Sequence, residues 1–114
     1  MPAPAKLSLV VYSGEAGKVH YAWMMAASSL AIGKGATLFF TGEAIRSLAA
    51  KAPYATEELI QACAQLGAKF MVCEAGLIAV KLARKDLRAD LDLAECGIVT
   101  FLNDCDPAGQ IVFI

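Results

Sequence analysis

Three short apolar runs recur along the chain, "LSLVVY", "ATLFFT" and "AKFMV", and each gives way within a few residues to a helix-compatible segment. Runs of this length, rich in β-branched and aromatic residues and bounded by glycine, read as strands. The first spans residues 7–12, the second 36–41 and the third 68–72. Between the first two, the segment from Gly17 to Ile32 reads as a helix, with Gly33 and Gly35 as stop signals and Lys34 near the negative end of its dipole. A short helix falls within "EAIRSLAAKAPYA", broken by Pro53. "TEELIQACAQLG" reads as an amphipathic helix capped by Thr56, with Leu59, Cys63 and Leu66 on one stripe and Gly67 as its stop. After the third strand, "CEAGLIAVKLAR" reads as a helix and "KDLRADLDLAEC" as a polar connection with room for a short strand. "IVTFLND" fits helix or strand, "CDPAG" is a turn, and "QIVFI" is a closing strand.

Strands alternating with helices imply a mostly parallel sheet with helices on both faces. Right-handed crossovers make this a small doubly wound α/β domain of about five strands. The 114 residues suit a single domain, 1–114, and no linker or repeat divides them.

Hydrophobic residues make up 58% of the chain and charged residues 18%, against roughly 45–50% and 25% in an average domain. Such an excess predicts apolar surface buried between copies, or elements covered on both faces. The helix from Val19 to Gly33 is apolar nearly all round, so part of it needs a partner beyond one sheet. That same stretch is the longest without a charged residue, at fifteen residues. A membrane span needs about 18–20, so no membrane partner is expected. The net charge is −1 with no basic block, which gives no sign of a nucleic-acid partner. The opening segment has no basic n-region and too short an apolar run for a signal peptide, so a cytoplasmic location is expected.

In a parallel sheet the strand-to-helix loops leave one edge, and ligands bind outside the carboxyl ends of the strands. Three such loops are legible: "YSGEAGK", "FTGEA" and "VCEAG". The third places Cys73 at that edge, beside a helix start whose free N–H groups favour a thiolate. Glu74 suits the helix dipole but opposes a neighbouring thiolate, so its side chain is expected to point away. Ser13, Thr41 and Gly42, from the neighbouring loops, are candidates to line the same pocket.

The other three thiols read as small hydrophobes: Cys63 on a helix stripe, Cys96 and Cys105 in turn-like surroundings, with an accessory-thiol role as the alternative for either of the last two. The four cysteines are too widely spaced for a four-thiolate zinc site or a C-x-x-C redox pair, and neither a metal nor a cofactor is expected. His20 reads as a partly buried structural histidine, and the Glu57–Glu58 pair as a solvated first turn. "SGEAGKV" lacks the first glycine and the Ser/Thr of a phosphate loop. No nucleophile–base–orienter set for hydrolysis is visible.

The order of these features resembles the DsrE/DsrF-like family over nearly the whole chain. The resemblance rests on the Gly-containing loop after the first strand, "FFTG", "KFMVCEAGL" and the closing "GIVTFLND…QIVFI". It implies a small α/β sulfur-relay protein that assembles as a trimer or hexamer. It further implies that the cysteine after the third strand, Cys73, carries a persulfide. The Arg-Gly that follows this cysteine in some carriers is not reproduced in "CEAGLIAVK". The expected function is therefore that of a sulfurtransferase-type sulfur carrier working between donor and acceptor proteins. The alternative is a module of the same fold that binds a nucleotide or small anion, or serves as a scaffold, without covalent chemistry.

Overall fold

The computed structural model describes residues 5–114, which form five strands, four α-helices and two 3₁₀ turns. The first four residues, part of the opening segment, lie outside the described residues. The strands are β1 (Leu7–Val11), β2 (Ala36–Phe40), β3 (Lys69–Cys73), β4 (Leu93–Cys96) and β5 (Gln110–Phe113). The helices are α1 (Ala16–Ala31), α2 (Tyr54–Gln65), α3 (Glu74–Val80) and α4 (Ile98–Asp104). The 3₁₀ helices are Gly42–Leu48 and Arg84–Asp86.

All neighbouring strands run parallel, in the order β4-β3-β2-β1-β5. The chain winds outward from β1 to β4, then crosses the whole sheet to place β5 beside β1. This is the expected doubly wound arrangement, with helices unequally shared between the faces.

One face carries most of the core. Leu9, Val11, Leu38, Phe40, Phe70, Val72 and Leu93 alternate onto it and meet Val19, Trp23 and Ala26 of α1, Ile45 and Leu48 of the first 3₁₀ helix, Ile60 and Cys63 of α2, and Leu77 and Val80 of α3. Trp23 sits at the centre, its ring centroid 5.5 Å from Phe40 and 5.9 Å from Phe70. The opposite face has a smaller cluster of Val10, Phe39, Met71, Cys96 and Phe101. Phe101 of α4 is fully buried and stacks on Phe39 with centroids 4.9 Å apart.

"IVTFLND" is a helix because of where its ends must be. It leaves the carboxyl end of β4 and must return to the amino end of the sheet to start a parallel β5, which a helix accomplishes compactly. Its last residue, Asp104, is pinned at that end by Lys6, Lys69 and the Thr37 hydroxyl.

Several local expectations are corrected. α2 begins at Tyr54, with Pro53 in the capping position, so Thr56 does not cap it. Thr56 is buried in the first turn, 2.6 Å from the His20 Nδ1. The buried stripe of α2 is Thr56, Ile60 and Cys63; Leu59 packs at its margin and Leu66 is 53% exposed. Glu57 is not solvated: both its oxygens accept from the Arg88 guanidinium at 2.9 and 2.8 Å, and one also accepts the Ala52 N–H. Those hydrogen bonds from Arg88 hold the Glu57 carboxyl below its ordinary value. The pair ties the connection before β4 to the start of α2, while Glu58 is exposed.

Candidate functional site

Cys73 is the last residue of β3 and the residue immediately before α3. Its backbone is extended (φ −73°, ψ 122°), and the chain turns directly into the helix with no loop between. The thiol is half-buried, and its Sγ accepts the Gly76 N–H at 3.3 Å. The sulfur thus takes the place of the side-chain oxygen that ordinarily caps a helix.

Gly76 is needed for this approach. A Cβ there would lie 2.7 Å from Ile45 Cδ1 and 3.2 Å from both Cys73 Cβ and Thr41 Oγ1. The same geometry shows that Thr41 and Cys73 border one point at the strand ends. β2 and β3 are adjacent in the sheet, which brings these two expected site residues together.

The remaining expected residues are placed differently. Ser13 follows β1, which β2 separates from β3, so it stands roughly 10 Å along the edge by strand spacing. Its hydroxyl accepts the Glu15 N–H at 3.1 Å, within its own loop. Gly42 has φ +55° and backs onto Tyr12, whose ring atoms would lie within 2.7–3.1 Å of a Cβ there. Tyr12 in turn stacks on Phe113, with centroids 5.6 Å apart, over the junction of β1 and β5. Glu74 is exposed in the first turn of α3.

Cys96, expected in turn-like surroundings, is in a strand instead. It is the last residue of β4 and the register partner of Cys73 in β3. It is buried and belongs to the smaller core cluster, against which Cys73 packs. Burial pushes its thiol up, and the neighbouring Cys73 and Glu74 add to this. The signal that could have revealed the pair was the register of β4, a strand inside a connection that reads as polar.

The other two thiols are structural. Cys63 has no exposed surface, burial pushes it up to about 11, and its Sγ donates to the Trp23 carbonyl at 3.8 Å. The Cys105 Sγ donates to the Phe101 carbonyl at 3.3 Å, at the far end of α4. Among the described residues, no group of three His, Cys, Asp or Glu side chains is arranged to hold a metal ion. Among the same residues, no helix is long and apolar enough to cross a membrane.

A separate cavity of about 600 Å³ opens at the same sheet edge, between the starts of α1 and α2 and the first 3₁₀ helix. His20, Arg46, Lys51 and Thr56 line it, with Glu43, whose carboxylate accepts from Arg46 Nε at 2.7 Å. Cys73 is not among its lining residues. None of the protein-family models compared with the chain matches it, and no curated protein does so either.

Proposed function

We propose that the protein is a sulfur carrier in which Cys73 accepts a sulfane sulfur from a donor protein and hands it to an acceptor protein. The observation that carries this reading is the thiol at the carboxyl end of β3 whose Sγ receives the Gly76 N–H. The Cys73 thiolate attacks the outer sulfur of a donor persulfide. The donor's S–S bond breaks, its thiol is released, and Cys73 leaves as a persulfide, so no net oxidant or reductant is consumed. The Gly76 N–H is the group beside the sulfur that stabilises the anion in either state. Transfer to the acceptor repeats the exchange in the opposite sense.

The resemblance to the DsrE/DsrF-like family favours the same role, in the cytoplasm and in a trimer or hexamer. Apolar surface fits assembly: α1 exposes Tyr21 and Met24, Ile32 just after it is exposed too, α4 exposes Ile98, Val99 and Leu102, and Phe113 on the edge strand is 68% exposed. Light scattering at micromolar concentration tests assembly, and a stable monomer would refute it.

The decisive experiment is intact mass after incubation with a sulfur-loaded cysteine desulfurase. Wild type is expected to gain one sulfur and lose it on adding an acceptor; Cys73→Ser is expected to gain none. Equal loading of Cys73→Ser would end the carrier reading. The cavity lined by Arg46, Lys51 and His20 favours a second reading, binding of a small anion or nucleotide without covalent chemistry. It takes precedence if wild type never loads and calorimetry shows binding that Arg46→Ala abolishes.

A further inference from the structure

We propose that Cys96 is the resolving thiol of Cys73, and that the two close a disulfide across β3 and β4 when Cys73 carries a sulfane sulfur. The sulfur-releasing part of this proposal rests on the carrier reading; the pairing of the two thiols rests on geometry alone.

Cys73 and Cys96 are partner residues in adjacent parallel strands. Both side chains belong to the face that carries Met71 and Phe101. Paired strands lie about 4.8 Å apart, and disulfides form over Cα separations of about 4.4–6.8 Å. β4 is an edge strand of four residues, and Gly97 follows Cys96 with open space around it. Its backbone can therefore adjust to the smaller Cβ separation of a closed bridge without displacing a neighbouring strand.

No other thiol of the chain meets these conditions. Cys63 points into the opposite face and is fully buried. Cys105 follows α4, whose end is pinned by Lys6 and Lys69 at the amino edge of the sheet. A five-residue strand, roughly 16 Å, separates that edge from Cys73.

The chemistry balances within the chain. The Cys96 thiolate attacks the Cys73 Sγ of the persulfide, the bond from that Sγ to the outer sulfur breaks, and the outer sulfur leaves as hydrogen sulfide with the two thiol protons. The sulfane sulfur is reduced by two electrons, and the two cysteines are oxidised to the disulfide. A dithiol reductant returns the pair to its starting state. Because Cys96 is buried and its thiol is pushed up, its attack is slow beside transfer to an accessible acceptor. The pair then acts as a discharge route for sulfur that no acceptor collects.

The test has two arms on the full chain. Diamide, which oxidises vicinal thiols without any persulfide, is expected to remove two hydrogens from wild type and to link the peptides containing Cys73 and Cys96. A chymotryptic cut at Phe101 separates Cys96 from Cys105 for this mapping. Sodium tetrasulfide, as a small sulfane-sulfur donor, is expected to give wild type with the same link and one equivalent of sulfide beyond that of a thiol-blocked control. Cys96→Ser is expected to retain the sulfur on Cys73 and lose this sulfide release, with Cys96→Ala as a second variant should serine in the buried site impair folding. Cys105→Ser is expected to behave as wild type. Absence of the Cys73–Cys96 link with diamide, or a link through Cys105 or Cys63 instead, overturns the proposal while leaving loading of Cys73 intact. Sulfide release from Cys96→Ser as fast as from wild type also overturns it. A diamide link in a protein that never loads sulfur overturns the releasing step together with the carrier reading, and supports the pair as a redox dithiol.

Discussion

The Gly76 N–H donates to the Cys73 Sγ at 3.3 Å, across the three residues in which β3 becomes α3. Two constraints meet in that contact. The sulfur replaces the usual capping oxygen, and the missing side chain at Gly76 lets Thr41, Ile45 and Cys73 close around it.

Gly76→Ala is therefore expected to disturb the site from within. The new methyl would meet the mobile end of Ile45 at 2.7 Å, and Cys73 and Thr41 at 3.2 Å. Overpacking of this kind costs about 1–3 kcal/mol. Urea denaturation is expected to show that loss, and maleimide kinetics a changed rate at Cys73. Unaltered stability together with an unaltered rate would mean that the site is not sterically closed at Gly76.

The four thiols are expected to differ sharply toward alkylating reagents. Cys73 should react ahead of the buried Cys63 and Cys96 in the folded protein, because it is half-buried at the carboxyl end of β3. Cys63, fully buried and pushed up to about 11, should react only after unfolding. Peptide mapping after brief iodoacetamide treatment at pH 8, with and without denaturant, reads the order. Native labelling of Cys63 ahead of Cys73 would contradict it.

Acid should loosen the end of α4. Burial alone would raise the Asp104 carboxyl, but hydrogen bonds from Lys6, Lys69 and Thr37 overcome it and hold the group at about 2. An unfolded aspartate titrates near about 3.9. The folded value is depressed, so the contribution is fully present above about pH 4 and is lost as pH falls through about 2. Its size is on the order of 2 kcal/mol. The stability gap between wild type and Asp104→Asn, measured by urea melts, should be near that size at pH 7 and shrink between pH 4 and pH 2. A gap independent of pH would show that the ion pairs contribute little.

Ser8 offers a gain of stability. Its hydroxyl is buried on β1 and has no hydrogen-bond partner among the described residues. Burying an unpaired hydroxyl costs about 1–3 kcal/mol in mutational data. Ser8→Ala is expected to raise the thermal midpoint by a few degrees, as calorimetry would show; a lowered midpoint would refute the claim.

Much of the fold was legible because it rests on local patterns. Apolar runs bounded by glycine marked β1, β2 and β3, and glycines at 33 and 67, both at positive φ, marked the ends of α1 and α2. The position of Cys73 followed from the same patterns, because a strand that passes directly into a helix leaves its last residue at the sheet edge. Thr56 and Glu57 were misread for a corresponding reason. Their roles depend on His20 and Arg88, which lie 36 and 31 residues away in sequence, and no local pattern reports such partners.

By itself, then, the sequence determined that short strands alternate with helices, that the sheet is parallel, and that Cys73 stands at its carboxyl edge, since propensity, periodicity and turn chemistry act over a few residues. Only the tertiary structure decided that "IVTFLND" is a helix, that Thr41 and not Ser13 meets Cys73 at Gly76, and that Cys96 stands opposite Cys73. Those outcomes depend on strand order and register. Both are set by packing between segments far apart in the chain, where an ambiguous run takes the form that closes the sheet and buries Phe101 against Phe39.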